Sequence, residues 1–122
     1  MIKIDKAKNA KFYNTYKPCD CMDCRNFCMQ IRSACKELSA YFDKNSIDIE
    51  KPWELVSFEQ GDKTEYKSCQ YLIFGDCSDD FEMGLDNIKL KKELDGHPST
   101  SEYEKPNFVL EFSIALINNI SK

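Results

Sequence analysis

The fold depends first on residues 20–44, whose sequence is DCMDCRNFCMQIRSACKELSAYFDK. Apolar side chains recur in this stretch at alternating spacings of four and three residues, namely at Cys24, Cys28, Ile31, Cys35, Leu38 and Phe42. Such spacing places them on one face of an α-helix, because a helix turns once every 3.6 residues. Asp20 is a residue type that caps a first helical turn. The sequence therefore predicts one long amphipathic helix over about residues 20–44.

Strand patterns follow the helix, in residues 54–115. Residues 54–59 and 65–74 flank Gln60-Gly61-Asp62-Lys63, a sequence typical of a hairpin turn. Residues 88–91 indicate a half-exposed strand, and residues 108–115 alternate apolar and other side chains with a period of two. We therefore expect an α+β fold, with the helix packed on a mainly antiparallel, meandering sheet of about four to five strands.

Length and composition predict one domain over residues 1–122, because a chain of this size forms a single core. Residues 1–17 are basic and rich in aromatic residues, and we expect residues 10–17 to be extended. The net charge is −4, which disfavours binding to nucleic acid, since phosphate contacts need clustered Lys and Arg. No apolar run approaches the ~20 residues of a membrane span. These features predict a cytoplasmic protein that binds neither nucleic acid nor membranes.

The seven cysteines include a cluster where the helix begins. In a reducing compartment, cysteines are typical of free thiols or metal ligands rather than of disulfides. With Asp20 as the cap, Cys19 and Cys24 would take the two positions that meet in a hydrophobic staple. Cys21 would lie in the first turn, where the helix dipole favours a thiolate. The sequence thus indicates Cys19, Cys21 and Cys24 as ligands of a possible Zn²⁺ ion.

A tetrahedral zinc site needs a fourth ligand, which the sequence leaves open. Cys28 and His97 are the first candidates, although Cys28 also lies in phase with the buried face of the helix. Other side chains with suitable donor atoms are Cys69, Cys77, Asp20 and Asp23.

Two other interpretations of the cysteines stay open beside metal binding. They can be reduced structural thiols that are simply packed, because free cysteine is among the most buried residue types. Cys21-x-x-Cys24 at a helix start also fits a thiol-dependent redox enzyme, in which one thiolate attacks and the second thiol resolves. No parallel-sheet pattern of the kind that accompanies thioredoxin-like motifs occurs near it.

The segment KPCDCMDCRNF at residues 17–27 resembles the corresponding segment of a group of small bacterial proteins of unknown function, which share K-P-C-x-C-x-x-C leading into a helix. Similar segments are IEKPWE at residues 49–54, QYLIFG at residues 70–75 and FVLE at residues 108–111. The resemblance implies a bacterial, cytoplasmic protein and brings no activity with it. We expect a non-enzymatic binding or interaction module, whose partner is an unidentified protein or small molecule.

Overall fold

A computed structural model describes residues 1–94 and 103–118. These residues form three helices and six strands. In chain order they are β1 (Ile2–Ile4), α1 (Lys6–Thr15), α2 (Met22–Ala34), α3 (Lys36–Lys44), β2 (Glu54–Gln60), β3 (Lys63–Cys77), β4 (Glu82–Leu85), β5 (Ile88–Lys92) and β6 (Asn107–Ile117).

Strand β3 lies at the centre of a curled antiparallel sheet. One of its edges pairs with β6, from Lys63 opposite Ile117 to Phe74 opposite Asn107. The other edge is shared by two short partners, β2 along the first half of β3 and β1 at its end. The sheet continues from β6 to β5 and then to β4.

Helix α1 covers the part of the β3 edge that lies between β2 and β1. The buried Tyr13 hydroxyl donates to the carbonyl of Leu72 at 2.7 Å, and the backbone N–H of Phe74 donates to the Asn9 side chain at 2.9 Å. Asp5 caps the helix by accepting from the N–H of Lys8. The prediction that residues 10–17 are extended was therefore wrong. Here polar side chains of α1 make hydrogen bonds with backbone groups of β3 that a neighbouring strand would otherwise make. A hydrophobic pattern in the sequence does not reveal such contacts.

The prediction of one long helix over residues 20–44 was also wrong, because the helix is interrupted at Cys35. This residue ends α2 and begins α3 with a non-helical backbone (φ −132°, ψ 76°). Asp86, in the turn between β4 and β5, accepts from the N–H of Leu38, and Glu37 accepts in return from the N–H of Asp86. A distant residue thus supplies the cap that α3 lacks locally.

The buried face predicted for this stretch is confirmed across the interruption. Ile31, Cys35 and Leu38 are almost fully buried, and they pack with Tyr71 and Phe112 of the sheet. Among the described residues, no helix is long and apolar enough to cross a membrane.

The α+β class and the antiparallel sheet are confirmed, while the number of strands and the meandering connection need correction. The described residues form six strands. The sequence pattern did not predict two of them, the short β1 and β4. Of these strands, only β4, β5 and β6 form a meander, in which each strand pairs with the next one along the chain. Strand β6 then pairs on its other edge with β3, which precedes β4 in the sequence. The predicted hairpin is present as β2 and β3, with Gly61 in the left-handed conformation (φ 64°) that the turn requires.

Replacing Tyr13 with Phe removes the hydroxyl that satisfies the buried Leu72 carbonyl. We expect Tyr13→Phe to lower the free energy of unfolding by about 1–3 kcal/mol, the usual cost of leaving one buried polar group without a partner. Denaturant unfolding measures the change. Tyr16→Phe is the matched control, because the Tyr16 hydroxyl is only half-buried and donates to Pro52 at 3.4 Å. Equal losses in the two variants would contradict this role of Tyr13.

Candidate metal centre

The three cysteines lie where the connector from α1 meets the first turn of α2. Cys21, not Asp20, is the residue that precedes the helix, and its backbone is extended (φ −63°, ψ 169°). The predicted cap was therefore displaced by one residue. Cys24 consequently falls on the third helical position, so Cys21 and Cys24 occupy the two positions that face each other in a capping box.

The sulfur atoms of Cys19, Cys21 and Cys24 all lie within 4.8 Å of one another. The Cys19 sulfur also accepts a hydrogen bond of 3.5 Å from the N–H of Cys21, which folds the connector back onto the helix start. Cys19 and Cys21 are exposed, whereas Cys24 is about nine-tenths buried with 9% of its surface accessible. The cluster therefore has one inner and two outer sulfurs.

The pKa values of Cys21 and Cys24 are shifted in opposite directions. The pKa of Cys21 is lowered, chiefly because the backbone N–H of Cys24 in the first turn stabilises the thiolate. The Cys21 side chain makes no cap hydrogen bond of ordinary length, so this stabilisation comes from proximity to the N–H group. The pKa of Cys24 is raised well above its ordinary value, first by burial and then by the neighbouring sulfurs of Cys21 and Cys19.

Asp23 fixes the first turn of α2 to the sheet. Its carboxylate accepts from the hydroxyl of Ser57 on β2 at 2.8 Å, and its backbone carbonyl accepts from the hydroxyl of Tyr66 on β3 at 2.6 Å. Burial raises the pKa of Tyr66 to about 12, so this hydroxyl stays a donor. The position of Cys24, the next residue, is thereby set by two strands.

An aromatic pair lies beside the cluster and was not predicted from the sequence. Tyr16 stacks on Trp53 with ring centroids 5.7 Å apart. The pKa of Tyr16 is raised by burial and, to a smaller extent, by Tyr103 and by the sulfurs of Cys19 and Cys24. Its spacing of three residues before Cys19 was the only sequence signal for this neighbourhood.

The remaining candidate ligands lie elsewhere or outside the described residues. Cys28 is half-buried, and its thiol donates to the backbone carbonyl of Glu50 at 3.1 Å. Cys69 is fully buried in β3, as expected for a packed thiol. Cys77 is the last residue of β3 and is half-buried. His97 falls among residues 95–102, outside the described residues.

Three thiols at this separation can hold a metal ion with little rearrangement. Zinc–sulfur bonds of ~2.3 Å in a tetrahedral site place neighbouring sulfurs about 3.8 Å apart. The sulfurs therefore need to approach one another by about 1 Å at most from their separations here. In the part of the chain that the structure describes, no other three His, Cys, Asp or Glu side chains come this close.

No protein-family model, curated protein or solved structure matches the chain.

The accessibility and acidity of the thiols predict which one reacts first. In the metal-free protein we expect iodoacetamide to modify Cys21 well before Cys24, and before the half-buried Cys77, whose pKa is also raised by burial. The rate at Cys21 should fall as the pH decreases, because only the thiolate reacts. Peptide mass spectrometry over a series of pH values measures each rate. Faster modification of Cys24 or Cys77 would show that the helix start does not activate Cys21.

Proposed function

We propose that the protein is a zinc-binding domain in which Cys19, Cys21 and Cys24 hold one Zn²⁺ ion at the N-terminal end of α2. The observation that carries this proposal is the convergence of the three sulfurs within 4.8 Å. Thiolate sulfur is a preferred ligand of zinc in proteins, and structural zinc sites commonly contain three or four cysteines.

A bound Zn²⁺ ion would offset the charge repulsion among three thiolates at the start of α2. Three thiolates without an ion would repel one another, and the raised pKa of Cys24 expresses this cost together with its burial. A Zn²⁺ ion removes the repulsion and leaves a net charge of −1, which the positive end of a 13-residue helix stabilises. The ion would also join the connector, through Cys19, to α2, through Cys21 and Cys24.

The same pair, Cys21 and Cys24, is compatible with the thiol-dependent redox role as a second candidate. The lowered pKa of Cys21 and its three-residue separation from Cys24 favour it. A disulfide between the two would remove two of the three zinc ligands, so the metal and redox forms exclude each other. If saturating zinc left alkylation of Cys21 unchanged, the redox role would gain and zinc binding would lose.

Replacing the inner sulfur tests the proposal directly. We expect Cys24→Ser to weaken zinc binding by more than the 10- to 100-fold typical of losing a residue outside the ligand set. Cys77→Ser is the matched control, because its half-buried thiol lies outside the cluster. A competition titration against a chromophoric chelator gives both affinities. Native mass spectrometry of wild type without any one-zinc species, after purification with zinc, would overturn the proposal.

The affinity for zinc should fall as the pH decreases, because protons compete with the ion for the sulfurs. Zinc binds thiolates, so binding at pH 7 should release up to about three protons per ion. The raised pKa of Cys24 means that its proton is displaced only by the metal at this pH. Calorimetric titrations in two buffers of different ionisation enthalpy count the protons. A count near zero would show that the thiols are not the ligands.

A further inference from the structure

We infer that the described residues supply three ligands to this ion, and that the fourth coordination position takes a thiolate from outside the protein. The inference rests on the proposed zinc site and specifies what that site binds. The proposed function concerns the metal ion, and the inference concerns the fourth ligand of that ion.

The two nearest alternatives along α2 are already engaged away from the cluster. The Asp23 carboxylate accepts from Ser57, and the rest of that residue is held through its carbonyl by Tyr66. The thiol of Cys28 donates to the carbonyl of Glu50. Recruiting the Asp23 carboxylate would break its hydrogen bond with Ser57 of the sheet, and recruiting the Cys28 thiol would break its hydrogen bond with Glu50.

The donor atoms that do meet at the cluster number three among the described residues. Asp20 lies between two of the cysteines in the sequence and is exposed, yet its carboxylate is not among these atoms. The hydroxyl of Tyr16, which lies beside the cluster, donates a hydrogen bond to the backbone carbonyl of Pro52. A tetrahedral ion held here would consequently keep one position without a ligand from these residues.

The exposure of the three cysteines indicates that the fourth coordination position faces solvent. Cys24 is the buried sulfur, while Cys19 and Cys21 are exposed. An ion bound to all three would sit at the protein surface, with the sheet behind Cys24. Zinc sites with an open position bind water or an exchangeable ligand there, in contrast to closed structural sites.

Thiolate is the external donor that suits this site best. An ion with three sulfur ligands is matched by a fourth soft donor, as in Cys₄ sites. The positive end of α2 also favours an anion over a neutral imidazole. When the thiol binds, it loses its proton to solvent and its sulfur displaces the water on the metal. The oxidation states of zinc and sulfur do not change.

Cobalt substitution of the full chain tests the inference, because Co²⁺ adopts the zinc geometry and reports each thiolate by charge-transfer absorbance. We expect Co²⁺-loaded protein to gain about one third of this absorbance, three thiolates becoming four, when 2-mercaptoethanol is added. A cysteine-containing peptide and its serine analogue form a second arm, which separates a protein thiol from a small-molecule thiol as the source. Gain with 2-mercaptoethanol, with the cysteine peptide or with both supports the inference, provided that the serine peptide produces none.

Three variants test whether another side chain of the protein occupies the fourth coordination position. Asp20→Asn, Cys28→Ser and His97→Ala should leave both the thiol-free spectrum and the thiol response as in the wild type. A changed thiol-free spectrum in any of them, or cobalt binding without any response to thiol, overturns the inference and leaves the metal site standing. Failure of both Co²⁺ and Zn²⁺ to bind overturns the proposed function as well.

Discussion

The pairing of β3 with β6 is the interaction on which the rest of the structure depends. These two strands are the longest in the sheet, and their inner face supplies Tyr71, Ile73 and Phe112 to the main core. Both edges of β3 are occupied, by β6 on one side and by β2, α1 and β1 on the other. The candidate site depends on the same strand, because Tyr66 of β3 holds the carbonyl of Asp23 beside Cys24.

The sequence predicted the elements whose pattern is local. The alternation in residues 108–115 and the Gly61 turn were sufficient to locate β6 and the β2–β3 hairpin. It did not predict features that arise from tertiary contacts. The break at Cys35 depends on Asp86, about fifty residues away, and the periodicity runs through the break because both helices pack on one core. Helix α1 was not predicted, because its buried Tyr13 contacts the edge of β3 through a polar hydrogen bond, which a hydrophobic pattern does not reveal.

The candidate site was predicted better than the helix that carries it. Spacing alone predicted that Cys19, Cys21 and Cys24 lie close together. Their proximity is retained although the cap was one residue off, because Cys21 and Cys24 then take the N-cap and third helical positions, which face each other. The position of Cys28 followed instead from the buried face, which turns its thiol to Glu50. The stacking of Tyr16 on Trp53 was not predicted, because it requires the connector after α1 to meet the residue before β2, and the spacing of Tyr16 from Cys19 does not reveal that contact.

The core also bears on the role of the proposed zinc ion. Small zinc fingers need the metal to fold because they bury too little apolar surface, and their binding energy is folding energy. Here a continuous cluster, with Phe27, Ile31 and Leu38 of the helices against the sheet, is built without the cysteines at the helix start. The three sulfurs of the proposed zinc site lie outside this core, so the core closes without the ion, and an ion held by them would lie at the surface.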